Sequence, residues 1–218
     1  MKPSRGERDG ETERRILAAA RSVFVRRGTA GARMQEIAEE AGVNQALLHY
    51  YFRSKDGLAA AVFREAAARL MPAALQLLAS DVALEEKIER FVHLYIDSVR
   101  QNPFVPGYIL AELHHHPERV TALVAQLAGG GEAPMARRVL DRLDAQLREA
   151  AAAGRMRPIS AEQLFVSLLS LTVFPFAARP LLHAVLGLDE PAFARFLDER
   201  RADLPRFVLD ALRPSSSP

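Results

Sequence analysis

Apolar positions in this chain recur at helical spacing almost throughout, and runs with strand alternation are scarce. Ile16, Ala19, Ala20, Val23 and Phe24 form one stripe, predicting a helix over 10–27 that Gly28 ends. Met34, Ile37, Ala38 and Ala41 predict a short second helix, with Gly42 placed where a C-terminus needs positive φ. Val43 packs inward from the turn, and Asn44 is suited to capping a third helix. There Leu48, Tyr51 and Phe52 share a face at i, i+3 and i+4. Two short helices joined by a glycine-containing turn make a helix-turn-helix.

The remaining pattern is also helical. Ser54 caps a helix carrying Leu58, Val62, Phe63 and Ala66, which Pro72 is expected to kink or end. Further helices are expected over 84–101, 104–115, 118–127, 133–153, 161–178 and 191–212. Gly129-Gly130-Gly131 reads as a loop, and Pro175 and Pro180 as interruptions. The fold class is all-α. The expected division is a flexible arm over 1–9 and a three-helix helix-turn-helix domain over 10–54. A helical body over 55–212 and a disordered tail over 213–218 complete it.

Composition narrows the classes. Without cysteine there is neither a disulfide nor a cysteine zinc site. The basic start lacks an apolar region behind it, and the longest uncharged run, 163–178, is too short for a membrane span. A cytoplasmic protein without membrane contact is expected. Residues 1–58 carry 11 basic against 8 acidic side chains, a bias too small to argue for nucleic acid by itself. No Gly-rich phosphate loop, nucleophile elbow or His-Glu-x-x-His pair occurs, so no enzyme and no cofactor is expected. His114-His115-His116 point about 100° apart on a helix and do not converge on a metal.

The outer face of the third helix carries no charge. Gln45, Ala46, Leu47, His49 and Tyr50 offer an amide, an imidazole, a phenol and small apolar groups, which suit base edges, thymine methyls and phosphate oxygens. Lys55 in the first turn of the next helix opposes the macrodipole, which makes sense with a phosphate there.

From Thr12 to Leu58 the chain resembles the DNA-binding domain of the TetR family of transcriptional regulators. The matching pieces are Phe24-x-x-Arg27-Gly28, Ile37-Ala38-x-x-Ala41-Gly42-Val43, Leu48-x-x-Tyr51-Phe52 and Ser54-Lys55-x-x-Leu58. Arg33 stands where the family usually has Ser or Thr, and His49 where it usually has Tyr. The resemblance implies that Arg33, Asn44, Gln45, Ala46, Leu47, His49, Tyr50 and Lys55 meet an operator in double-stranded DNA. It also implies a homodimer through 161–178 and 191–212, matching a palindromic site. The expected function is a repressor released when a small-molecule effector binds the body. An organising protein of the same fold without an effector and a helical enzyme are the competing readings. The middle helices are expected to enclose the effector among Phe91, Tyr95, Phe104, Tyr108, Glu112 and Phe174. Phe176, His93 and Asp97 are further candidates.

Overall fold

The computed structural model describes residues 5–127 and 135–214, and among them are eleven helices and no strand. Helix α1 (Arg5–Gly31) is broken at Gly28, whose φ of 65° and ψ of 170° no helix contains. It is followed by α2 (Met34–Ala41), α3 (Gln45–Phe52) and the long α4 (Lys55–Ala79). The start of α1 corrects the expected arm: residues 5–9 are helical. Gly10 is only a weak helix breaker, and the Tyr51 hydroxyl reaches the Asp9 backbone and side-chain oxygens at 3.4 and 3.3 Å. Residues 1–4 of that arm, the triple-glycine loop and residues 215–218 of the tail lie outside the described residues.

Ile16, Ala20, Val23 and Phe24 of α1 pack with Ile37 of α2 and Leu48 of α3 in one buried cluster. Leu58, Ala59 and Val62 of α4 belong to it as well. The core of the head therefore reaches beyond the expected boundary at residue 54 and ends inside α4. A helix shared by two cores transmits displacement from one to the other without a hinge between them.

The body consists of α5 (Leu84–Gln101), α6 (Val105–His115), α7 (Pro117–Leu127), α8 (Met135–Ala152), α9 (Ala161–Ala177), α10 (Arg179–Leu186) and α11 (Glu190–Ala211). Its core joins Leu78 of α4, Ile88, Phe91, Val92 and Ile96 of α5, Leu143 and Leu147 of α8, Leu164 and Leu168 of α9, and Leu197, Leu204 and Val208 of α11. Lys87 lies fully buried at the edge of this core. Its ammonium donates to the Leu78 carbonyl at 2.8 Å and to Gln146 Oε1 at 2.7 Å, while Gln146 Nε2 donates to the Val82 carbonyl at 3.0 Å. This cation thereby satisfies the Leu78 carbonyl, one that the end of α4 leaves open.

The prolines act differently from their sequence expectation. Pro72 neither ends nor splits α4, which runs on to Ala79. The carbonyl it leaves without a donor belongs to Ala68, on the exposed side of the helix. Pro175 is buried inside α9 and orphans the Leu171 carbonyl. Arg200 of α11 supplies the donors instead, from Nε at 3.1 Å and Nη2 at 2.7 Å. Pro180 does break the run, but from the first turn of α10, a helix absent from the sequence reading.

Candidate nucleic-acid interface

The turn between α2 and α3 is built as its residue types require. Gly42 is left-handed (φ 63°, ψ 38°), and its N–H and that of Val43 donate to the Glu39 and Ala38 carbonyls at 3.1 and 3.0 Å. Arg15 of α1 reaches across to the Ala41 and Gly42 carbonyls at 2.5 and 3.2 Å, fixing the turn to the head. Asn44 caps α3, its Oδ1 accepting from the Leu47 N–H at 2.7 Å. Asn44 thus positions the reading helix through its side chain. Arg33, extended at φ −114°, precedes α2 without a side-chain cap and remains exposed.

On α3, Leu48 is fully buried and Tyr51 and Phe52 are half-buried against the head. Gln45, Ala46 and Tyr50 are exposed together on the opposite side, Tyr50 to 78 %. Leu47 is half-buried beside them. His49 is exposed, but its Nδ1 lies 3.1 Å from the Arg53 carbonyl and so caps the C-terminus of the same helix.

Arg53 was not picked out by the sequence pattern. It has φ 58° and ψ −41°, and the Ser54 N–H donates back to the Phe52 carbonyl at 2.6 Å. That is a γ-turn of positive φ, the rare and strained form. It turns the Phe52 carbonyl onto Gly57, where a Cβ would lie 2.5 Å from that oxygen. The Arg53 side chain is exposed and has no hydrogen bond or ion pair among the described residues. Strain spent on holding a free guanidinium beside the reading helix makes Arg53 a further candidate phosphate contact. An unglycinated Arg-Ser step is not a recognisable turn signal, so sequence patterning passes over it.

Lys55 is engaged within the head. Its ammonium donates to the Ala30 and Ala32 carbonyls at 3.1 and 3.4 Å, so it ties the start of α4 to the segment between α1 and α2. Those carbonyls are open because α1 ends at Gly31, and the last carbonyls of a helix find no donor within it.

Residues 16–62 match the family model described as "Bacterial regulatory proteins, tetR family". Residues 85–208, more than half the chain, match the "Tetracyclin repressor-like, C-terminal domain" model. The chain belongs to the TetR family. It is similar to the HTH-type transcriptional regulator RutR of Escherichia coli K12, 27 % identical over 202 residues covering 91 % of this chain and 89 % of that protein. Among solved structures it resembles a TetR/AcrR-family regulator from Thermobifida fusca (TM-score 0.61, 16 % identity, 93 % of this chain and 99 % of that one). HlyIIR, a hemolysin II transcriptional regulator, is also similar (TM-score 0.57, 23 % identity, 95 % and 99 %). At these identities the two structures support the fold alone.

As a TetR-family member the protein is a DNA-binding transcriptional regulator with its helix-turn-helix in the head. Among the described residues no single helix is long and apolar enough to cross a membrane; α9 and α10 reach that composition only together, bent by 72°.

The six residues expected to line an effector pocket do not converge. Phe91 is 2 % exposed in the main core, stacked near Tyr95 with ring centroids 5.9 Å apart, and burial pushes the Tyr95 phenol up to about 12. Phe104 lies 5.5 Å from Phe24 of the head, and Tyr108 lies 5.4 Å from Phe63 of α4. Glu112 is half-buried farther along α6, and Phe174 is 54 % exposed on α9. Aromatic type alone did not separate a pocket wall from core, from a head–body contact or from an outer face. The groove that does lie beside α4 is lined by Ala66, Arg69, Leu70, Leu94, Asp97, Ser98, Gln101 and Asn102. Of the effector-site candidates named from the sequence, only Asp97 is among them.

Proposed function

We propose that this TetR-family regulator is a homodimeric repressor that leaves a palindromic operator when a small molecule binds its body. It reads base edges with Gln45, Ala46, Leu47 and Tyr50, and grips phosphate with Arg33 and Arg53. Asn44 and His49 shape the two ends of the reading helix, and Lys55 fixes the segment that leads into it. The observation that carries the reading is the uncharged, exposed face of α3 on a head held rigid from all sides. The regulator acts with its DNA, in the cytoplasm, and no catalytic step is part of the reading.

Support for dimerisation comes from α9 and α11. Val166, Phe174 and Phe207 are 56, 54 and 63 % exposed, and beside Phe207 a depression of about 320 Å³ runs along Leu171, Phe196 and Leu204, edged by Glu199, Arg200 and Asp203. Apolar side chains left in water around a concave surface favour burial against a second copy.

Selection from random duplexes with the full-length protein tests the reading. The expected product is an inverted repeat with half-site centres about one or two helical turns apart, bound by a dimer. A single half-site bound by a monomer overturns it. Release of the selected duplex by a small molecule completes the test, and a duplex that no molecule releases leaves an organising role instead.

A further inference from the structure

We infer that a stripe of charges on α11 selects which chain this protein pairs with. In an antiparallel pair of α11 helices, Glu199 meets Arg206 of the second copy and Arg195 meets its Asp210. The inference rests on the dimeric reading above and adds the register and the side chains that tell this chain from another.

The charges on the α5 side of α11 are satisfied inside the chain. Arg201 donates to Asp97 from Nε and Nη2 at 2.9 Å each, and Asp198 accepts from Arg100 at 2.7 Å. Arg195, Glu199, Asp203 and Arg206 differ: all four are exposed and have no hydrogen bond or ion pair among the described residues. With Asp210 they recur at steps of three or four residues, so they run in one line along the helix. That line lies opposite the buried Phe193, Leu197, Leu204 and Val208. Asp210 is held only by Arg213, at 2.8 Å between exposed side chains, a pair worth little in water.

The other helix proposed to meet a second copy has no counter-charge to offer. After Glu162 the exposed positions of α9 are Gln163, Val166, Ser167, Ser170 and Phe174, none of them charged. The stripe on α11 is therefore answered by the same stripe of the second copy. Across a two-fold axis, each contact between two different residues occurs twice. An axis at Glu199 or at Arg206 sets that residue against its own copy, like charge on like. An axis between Ala202 and Asp203 sets Glu199 against Arg206 and Arg195 against Asp210, opposite charges in all four contacts. The small Ala202 then lies at the crossing, where the backbones come closest. Asp203 turns off the seam into the depression beside Phe207.

Glu199→Arg and Arg206→Glu in the full-length protein test this. Sedimentation velocity follows dimerisation, and native mass spectrometry of copies differing in mass reads the make-up of mixtures. Each variant alone turns both central contacts from attraction to repulsion, and its dimer should weaken about thirtyfold. Mixed together, the two variants regain both contacts, so the heterodimer should far exceed its statistical half. The double variant Glu199→Arg/Arg206→Glu should dimerise with itself as the parent does and avoid the parent chain. Its recovery also shows that neither substitution harms the fold, as expected for side chains exposed in the single chain. Statistical mixing of dimeric variants overturns the inference and leaves a dimer with another register. A parent chain that sediments as a monomer removes the dimeric reading itself, and the inference with it.

Discussion

Arg200 donates twice to the Leu171 carbonyl, the one that Pro175 leaves without its helical donor. The arginine has a lowered affinity for its proton through burial but remains charged, and it stands on α11 while the proline stands on α9. A helix defect and its remedy thus lie on the two helices proposed to form the dimer. Removing Arg200 alone should cost about 1–3 kcal/mol, the usual cost of an unsatisfied buried acceptor. Pro175→Ala restores a backbone N–H, so Arg200→Leu should cost clearly less in that background. A double-mutant cycle in urea measures the difference, and additive effects would show that Arg200 does not serve Leu171.

Lys55→Met is expected to lower stability by about 1–2 kcal/mol, since two carbonyls lose a charged donor. The salt dependence of DNA binding should stay unchanged, because the ammonium is occupied inside the head. A slope that falls by about one unit per head would return Lys55 to the phosphate contacts.

These two residues show where sequence reading held and where it stopped. The helix-turn-helix was legible because Gly42, Asn44, Ser54 and the stripe Leu48-x-x-Tyr51-Phe52 each have one dominant local use. The caps and the left-handed glycine are indeed where residue chemistry puts them. Helices α5, α6, α8 and α11 were legible from their periodicity to within a few residues. Pro72, Pro175 and Lys55 were not, because their outcome depends on a partner distant in sequence or on which side faces water. Phe104 packs against the head and Phe174 lies on an outer face for the same reason: apolarity does not say what a side chain will meet. Lys87, fully buried, gave no signal at all beside Glu85 and Glu86.

Lys87 makes a pH prediction. Desolvation, reinforced by Arg142 and opposed by Asp81, holds its ammonium below the ordinary 10.5. Between that lowered value and 10.5 the unfolded chain binds more protons than the folded one, so stability rises with pH through this window. Lys87→Met lacks the term. Its deficit relative to the parent protein, expected to be about 1–3 kcal/mol for the stranded acceptors, should therefore widen as pH is raised from neutral toward 10.5. Urea midpoints at several pH values check this, and a constant deficit would mean that Lys87 is hydrated.

Phe207→Glu should convert the dimer to monomers at micromolar concentration while leaving helicity unchanged, because Phe207 is 63 % exposed in the single chain. Sedimentation velocity reads the outcome. Operator affinity should fall with it, since each head then binds alone. A variant that remains dimeric places the interface elsewhere.

The last prediction separates reading from holding on one head. Gln45 stands exposed in the first turn of α3, where a side-chain amide can pair bidentately with adenine. Gln45→Ala should cost about 1–3 kcal/mol on the operator, little on random DNA, and relax preference at one position per half-site. Arg53 stands at the other end of the helix, in a backbone conformation that glycine adopts freely. Arg53→Gly should therefore stabilise the folded protein by about 1 kcal/mol, the strain relieved less the entropy glycine adds. It should also weaken operator and random DNA alike and reduce the salt slope by about 0.9 per head. The opposite signs of the two Arg53 effects make the test sharp, because a merely structural arginine would give stabilisation with an unchanged slope. Thermal melts together with binding curves across a salt series decide both assignments. If Gln45→Ala lowers both affinities equally, the amide lies over the backbone and the bases are read by Ala46, Leu47 and Tyr50 alone.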